Sequence, residues 1–503
     1  MPNLTVFIGK EKRIFSFSGT PSIREALTGA GIFHSHPCGG RGVCGKCSVR
    51  ITGILSELSG RERIPGYRLS CVTRLLGDAT VWLPEEKTVQ AEGTMPAAPS
   101  GNETGTGRET ASLAGVFDIG TTTVVLRLAD DQGHPVAGAG RLNPQREIAA
   151  DVIGRIAAAK AEGFCQREMI LRCMEELIRE ALGQAPDRIR ESGIRHWIVT
   201  GNTAMLYLLT GTDPDELGHA PFTVTRRFDE MTELPMGKAY LPPCIGAFAG
   251  ADLACAVLAS GMTDHPEPAL LCDAGTNGEI ALWDGKTLWT ASVAVGPAFE
   301  GVGIREGCMN VPGAICRVRL VNGSYFAETL DGKPAVGLCG SGVLDAIARG
   351  LERGDIDPDG YLESPIVLRE GISLYPEDVR AVQLAKAAVA AGILRLTEVS
   401  GIEPERIGAW YLCGGFGSHL DPASAITAGL LPSAAAGRIS VLGNAALTGA
   451  CRLTEETEKE KLRRIVSSAQ QVTLGGDPAF NSAYIEQMAF PDRSGEAFRE
   501  ERE

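Results

Sequence analysis

The chain has 503 residues, 44% of them hydrophobic, with 48 Lys and Arg against 62 Asp and Glu and a formal net charge of −14. That length supports several domains with ample core, and the acidic balance argues against nonspecific nucleic-acid binding, which rests on neutralising phosphates with Lys and Arg. No apolar run reaches the roughly 18 residues of a membrane span, and Met-Pro-Asn-Leu-Thr at the start carries no basic-then-apolar signal pattern, so a cytoplasmic protein with no membrane partner is expected. The 14 cysteines scatter from Cys165 to Cys451 apart from one group near the start. Scatter of this kind fits buried, reduced thiols.

The first elements are two short strands, 3–9 and 13–17, and then a helix from Ser22 to Ala30, with Ser22 and Glu25 spaced as a capping box. Next comes Cys38-Gly-Gly-Arg-Gly-Val-Cys44-Gly-Lys-Cys47, a strand from Ser48 to Thr52, and later Leu69-Ser-Cys71. Four thiolates suit a [2Fe–2S] cluster when three come from one wrapped loop and one from a distant strand. The glycines at 39, 40, 42 and 45 leave room for sulfide and for N–H groups directed at sulfur. Structural zinc is the other chemistry for four thiols, but its ligands usually come as two short-spaced pairs. Cys38, Cys44, Cys47 and Cys71 are therefore the expected metal ligands. With five residues in the first gap, the motif is similar to the adrenodoxin side of the ferredoxin family, which implies an α+β ferredoxin-like (β-grasp) domain over residues 1–84.

From Glu85 to Ala114 the composition turns to Ala, Gly, Thr, Glu and Pro, which reads as a flexible linker. A coil of ~30 residues has a root-mean-square span of about 30 Å. A swinging electron carrier and an ordinary spacer both fit such a segment.

Gly115-Val-Phe-Asp118-Ile-Gly120-Thr121-Thr122-Thr123 then joins an apolar strand to a tight turn and a return strand. The same design recurs at Leu270-Leu-Cys-Asp273-Ala-Gly275-Thr276-Asn277-Gly278. One such turn is an ordinary hairpin; two make an internal repeat. Turns of this kind present backbone N–H groups to phosphate. Asp273, at the end of its strand, is placed to hold Mg²⁺ through water. Val199-Thr-Gly201-Asn202-Thr203-Ala204 and Leu442-Gly443-Asn444-Ala445-Ala446 read as a weaker repeat of connecting segments. A helix is expected over Gln166–Leu182, and a small-residue helix after Gly246-Ala-Phe-Ala-Gly250-Ala-Asp252, where close packing and a place beside nucleotide are equally compatible. Gly340-Ser341-Gly342 opens another helix, where an anion or nucleotide fits the free N–H groups, although Ser341 also suits a simple cap. Leu374–Leu394 reads as helical. Finally, Tyr411-Leu-Cys-Gly414-Gly415-Phe416-Gly417 offers bare backbone against which adenosine can lie.

Two phosphate turns followed by this adenosine turn resemble the actin, sugar-kinase and heat-shock-chaperone (ASKHA, ribonuclease H-like) ATPases. The resemblance implies an α/β fold of two lobes, 115–265 and 266–492, before a charged tail at 493–503. Taken with the cysteine set, Asn143-Pro-Gln145, Gly296-Pro-Ala-Phe-Glu-Gly301 and Cys339-Gly-Ser-Gly342, nearly the whole chain resembles the reductive activators of corrinoid-dependent methyltransferase systems. That resemblance implies ATP-driven transfer of one electron from the [2Fe–2S] cluster to Co(II) of a corrinoid protein, a low-potential electron donor, and a homodimer. Asp118 and Asp273 would organise Mg²⁺ and the attacking water. Asp118, Asp273, Glu279 and the Gln145 region remain candidates for the catalytic base. An activator of the 2-hydroxyacyl-CoA dehydratase type and a redox-sensing ATP-binding module are the competing expectations. The chain departs from some relatives in having no cysteine after Cys451, and in a linker too short for an extra domain.

Overall fold

The computed structural model describes residues 1–9, 11–30, 32, 42, 47–58, 66–83, 113–130, 134–185, 193–275, 277–414 and 420–492. Cys38, Cys44, Thr276, Gly415, Phe416, the expected tail and nearly all of the expected linker lie outside them. The chain forms two compact units, one of Met1–Thr88, Leu142–Cys173 and Tyr207–Pro221, the other of Val89–Arg141, Met174–Leu206 and Phe222–Glu503. No helix among the described residues is long and apolar enough to cross a membrane.

In the first unit, strands β1 (Asn3–Ile8), β2 (Glu11–Ser16), β3 (Ser48–Leu55), β4 (Tyr67–Leu69) and β5 (Leu75–Leu83) form one sheet in the order β2-β1-β5-β3-β4. Its strands alternate, so Leu4, Val6, Val49, Ile51 and Val81 share one buried face with Ile23 and Leu27 of helix α1 (Ile23–Gly29). The expected capping box is present: Glu25 N–H donates to Ser22 Oγ at 3.1 Å, and Ser22 N–H donates to Glu25 Oε2 at 2.7 Å. Arg24 Nη2 donates to the carbonyl of Glu147 at 3.1 Å, which fastens the helix side of the sheet to the segment around Asn143.

That segment carries a buried polar network. Gln145 Nε2 donates to the carbonyl of Gln166 (3.2 Å), Gln166 Nε2 to that of Arg155 (3.0 Å), and Arg155 Nε to that of Ala149 (3.0 Å). Helix α2 runs over Val152–Gln184 as one helix, joining the helical end of the Asn143–Ile156 segment to the expected Gln166–Leu182 helix. Asp151 Oδ1 accepts from Gly154 N–H at 2.7 Å and closes the first turn. Burial of Ile156 and Arg155 then anchors a first turn that Gly154 weakens, and the Ala-rich run after it is a good helix former.

The second unit is built on two six-stranded sheets. The first contains β6 (Leu113–Ile119), β7 (Thr123–Ala129), β8 (Pro135–Leu142), β9 (Ile194–Gly201), β10 (Glu230–Leu234) and β11 (Gly237–Leu241), in the order β10-β11-β9-β6-β7-β8. Leu113 and Ala114 are buried strand residues rather than linker. Strands β12 (Ala269–Ala274), β13 (Gly278–Trp283) and β14 (Leu288–Val293) open the second sheet. The chain then leaves it for a three-stranded sheet of β15 (Ala314–Val321), β16 (Ser324–Thr329) and β17 (Gly337–Leu338), and for a hairpin of β18 (Ile366–Arg369) and β19 (Ile372–Leu374). It returns as β20 (Ala409–Cys413), β21 (Ile439–Gly443) and β22 (Ala469–Gln471), in the order β21-β20-β12-β13-β14-β22.

Both sheets share one plan. The central strand, β6 or β12, is antiparallel to the strand that its turn leads into and parallel to the neighbour on its other side, β9 or β20. A second parallel strand follows, β11 or β21. The internal repeat read from the two Asp-x-Gly-Thr turns is thus a repeat of whole sheets. The weaker repeat is corrected by this plan: Val199–Ala204 ends the strand next to the centre, whereas Leu442–Ala446 ends the strand beyond it. The two segments occupy different places.

The helices after α2 are α3 (Thr203–Thr210), α4 (Ala251–Ser260), α5 (Gly340–Arg353), α6 (Pro376–Ser400), α7 (Pro422–Thr427), α8 (Ala445–Arg452), α9 (Glu456–Ser468) and α10 (Pro478–Glu486). Helices α4 and α8 each follow the outer parallel strand of their sheet. Both join a core that includes Val116 and Ile198 from the first sheet and Leu271 and Ala281 from the second. A Cβ on Gly449 of α8 would stand 1.9 Å from the carbonyl oxygen of Cys255 in α4, so the helices meet backbone to backbone.

Candidate functional site

Asp118 is the penultimate residue of β6, and Asp273 holds the same place in β12. The antiparallel register sets Val125 opposite Asp118 but Glu279 opposite Asp273. Residues directly opposite share a face, so Glu279 and Asp273 stand side by side. Asp252, in the first turn of α4, completes a group of four carboxylates.

Their electrostatics show that the four act on one another. Burial, and then Asp118, push Asp273 up to about 7; burial, Asp118 and Asp273 push Asp252 up to about 7. Burial, Asp252 and Asp273 raise Glu279 well above the ordinary carboxylate range. Asp118 rises to about 6 through burial, moderated by a hydrogen bond from Asn444 and by the charge of Arg127. Each of these residues keeps some solvent exposure, so water reaches the edge of the group. Surplus negative charge held close together is a place for a divalent cation. Among the described residues no set of three His, Cys, Asp or Glu is close enough to bind a metal directly. The arrangement therefore fits Mg²⁺ held largely through its waters.

The turns that follow Asp118 and Asp273 lie beside these carboxylates. Gly120 N–H donates to the carbonyl of Thr123 at 2.9 Å and Gly275 N–H to that of Asn277 at 3.0 Å, which closes both turns. Gly278 opens β13 and is buried. Thr122 Oγ1 donates to both oxygens of Glu300 at 3.0 and 3.1 Å, a contact that ties the first repeat to the second. Thr121 is buried and Thr123 opens β7. Gly414, at φ +87°, would put a Cβ 2.2 Å from Asp273 Oδ1, so only glycine fits at this position beside the carboxylate. Gly340, Ser341 and Gly342 form the buried first turn of α5. Gly342 packs against the carbonyl of Ile315, where a Cβ would stand at 2.0 Å.

Several residues of the site lack a local signal. Asn444 caps α8 by accepting from Leu447 N–H at 2.7 Å, and its Nδ2 donates to Asp118 Oδ2 at 2.9 Å. Glu300, Asp252 and Asn444 carry no phosphate-turn pattern; only the fold brings them in. Gln145 is fully buried in its own network.

In the first unit, Cys47 Sγ and Cys71 Sγ are 3.2 Å apart, one just before β3 and the other shortly after β4. Neither is disulfide-bonded. Two thiols converging without a bond fit a shared metal centre, and Cys38 and Cys44 fall outside the described residues.

Comparison with known proteins covers the chain in three stretches. Residues 6–76 match the 2Fe-2S iron-sulfur cluster binding domain, 113–265 the RACo middle region, and 267–501 the C-terminal domain of RACo, the ASKHA domain. The corrinoid activation enzyme RamQ of Eubacterium limosum is 32% identical over 417 residues, which cover 75% of this chain and 70% of that protein. The chain belongs to the RACo family. The [Co(II) methylated amine-specific corrinoid protein] reductase of Methanosarcina barkeri is also 32% identical to this RACo-family chain, over 349 residues, 59% of this chain and 63% of its own length. A solved reductive activator for corrinoid, iron-sulfur protein shares the fold, with a TM-score of 0.70 over 99% of this chain and 100% of that one at 24% identity.

Proposed function

We propose that this RACo-family chain is an ATP-dependent reductive activator: it spends ATP hydrolysis to return one electron to Co(II) of a corrinoid protein, regenerating Co(I) for methyl transfer. The observation that carries the reading is one chain with an iron–sulfur-binding domain and an ASKHA domain, whose relative over three quarters of its length is a corrinoid activation enzyme. Uphill electron transfer explains why the two occur together, since each ~59 mV against a one-electron gradient costs about 1.4 kcal/mol.

Cys47 and Cys71, with Cys38 and Cys44, would hold a [2Fe–2S] cluster, which when bound supplies the one-electron redox centre. Asp118 and Asp273 would hold the waters of Mg²⁺, with Asp252 and Glu279 adding negative charge behind them. The turns Gly120–Thr123 and Gly275–Gly278 would donate N–H and hydroxyl groups to phosphate oxygens, and the Gly414–Phe416 turn would carry adenosine. Gly340–Gly342 would bring helix N–H groups towards the nucleotide. Hydrolysis asks mainly for positioning and charge stabilisation. A carboxylate of this group with a pKa near neutrality is matched to accept a proton from the attacking water. The partners are a corrinoid protein of a methyltransferase system and a low-potential electron donor, and the chain works as a homodimer.

The test is optical and anaerobic. Purified chain, a low-potential reductant and a Co(II) corrinoid protein are mixed with and without Mg-ATP. Growth of the Co(I) band only with ATP, and its loss in Cys71→Ala, is the expected result. A cluster that reduces normally while cobalt stays Co(II) with several corrinoid proteins rejects the proposal.

A further inference from the structure

The ferredoxin-like sheet buries one face against α1 and leaves the other to solvent. One row runs straight across this open face. Phe7 pairs with Lys12 and with Trp82, Trp82 with Arg50, and Arg50 with Tyr67, so five residues on five strands lie in register. Phe7 and Trp82 stack with centroids 5.8 Å apart and planes 7° apart. The Arg50 guanidinium lies 5.2 Å above the Trp82 ring, and Lys12 Nζ lies 6.0 Å from the Phe7 ring. Lys12, Arg50 and Tyr67 are exposed, and both stacked rings remain partly so. Cross-strand pairing stabilises a sheet by itself, but it does not call for a flat, cation-flanked aromatic row on the solvent side. Aromatic residues and Arg are the types enriched where proteins dock.

The charge of the chain adds a second, independent observation. Residues 1–84 hold eleven Lys and Arg against five Asp and Glu, a formal +6, while the remaining 419 residues hold 37 against 57, a formal −20. At a screening length of about 8 Å in physiological salt, an approaching protein responds to the local sign. An acidic partner is repelled by most of the chain and attracted to this small part. The row also lies close to the cluster ligands, because Arg50 is three residues along the chain from Cys47 and Tyr67 four from Cys71. Arg24, which joins α1 to the Asn143 segment, is on the opposite side of the sheet and leaves the row open.

We infer that the Lys12–Phe7–Trp82–Arg50–Tyr67 row docks the electron donor, and that the donor presents a flat apolar patch rimmed by Asp and Glu. This rests on the reductive-activation reading only for the need of a donor. In the transfer itself one electron would leave a reduced one-electron centre of the donor, such as a flavin hydroquinone, and a cluster held by the four cysteines would take it up; no bond is made or broken. The salt bonds at the rim set the encounter rate and the stacked rings form the centre of contact.

The test uses the full-length, cluster-loaded chain and an acidic flavodoxin as the probe donor. Calorimetric titration measures association, and stopped-flow bleaching of the cluster measures electron arrival. The double variant Lys12→Glu/Arg50→Glu is expected to weaken association by about tenfold and slow bleaching by a similar factor. The salt dependence seen in the wild type should flatten. Photoreduction by neutral deazaflavin should be unchanged. Lys12→Gln/Arg50→Gln should move both quantities the same way by less, and an intact cluster spectrum reports folding. Association and bleaching within twofold of wild type, or faster bleaching, overturns the inference, as does tighter Trp82-dependent binding of a single-stranded oligonucleotide. No corrinoid or ATP enters these measurements, so failure here is separate from failure of cobalt reduction.

Discussion

At the scale of single residues, the site is a problem of like charge. Asp273 and Glu279 face each other across two strands, an arrangement that destabilises a sheet unless something neutralises it. The consequence for pH follows from the direction of the shifts. Asp118, Asp252, Asp273 and Glu279 all have folded-state values above their unfolded ones, so the folded chain binds more protons between about pH 4 and 7. Without metal, their contribution to stability therefore falls as pH rises through that window and stays low above it. Asp273→Asn should stabilise the metal-free chain at pH 8 by about 1–3 kcal/mol and by less at pH 5. Added Mg²⁺ should raise the wild-type melting temperature at pH 8 and fail to do so in the variant; calorimetry at the two pH values checks both. Asp118 and Asp273 were legible in the sequence because each stands before a Gly-Thr turn. Glu279 was legible only as a candidate, since its place opposite Asp273 depends on register. Asp252 was harder still, because a carboxylate in a first helical turn usually just serves the helix dipole.

At the scale of elements, the sequence showed the strands around both Asp-x-Gly-Thr turns and the opening strands of the first domain, since apolar runs broken by Gly-Thr turns have few other readings. The continuity of α2 from Ile156 to Gln166 and the two Gly-Asn connections were misjudged for a common reason. Their conformation is decided by contacts distant in the chain or by strand order, and neither leaves a periodic trace. Asn444 shows how much such a position can carry, for it serves α8 and Asp118 at once. Asn444→Ala should cost about 1 kcal/mol in unfolding free energy through the lost cap, and weaken Mg²⁺ binding because Asp118 loses the donor that favours its charged form. Asn444→Ser should restore the cap but not the metal affinity. Equal recovery of both by serine would show that Asp118 does not depend on the amide.

At the scale of the whole molecule, the ferredoxin-like core and the core around the carboxylates are built from separate sets of residues. Scanning calorimetry should resolve two transitions. An iron chelator should lower one of them, and Mg-ATP at a hundredfold excess over its Kd should stabilise the other by about 2.7 kcal/mol; a single transition responding to both would contradict this. The bare contact of Gly449 with the Cys255 carbonyl has a mechanical meaning as well. Asp252 lies in the first turn of α4, and α8 is capped by the asparagine bonded to Asp118, so both start at the charge cluster and touch further along. With no side chain between them at that point, lateral separation would open a void and closer approach would collide. Pivoting is the motion that remains. The pair has the geometry of scissors whose handles are carboxylates, and a change of charge at one end is expected to appear as a change of angle between the two sheets.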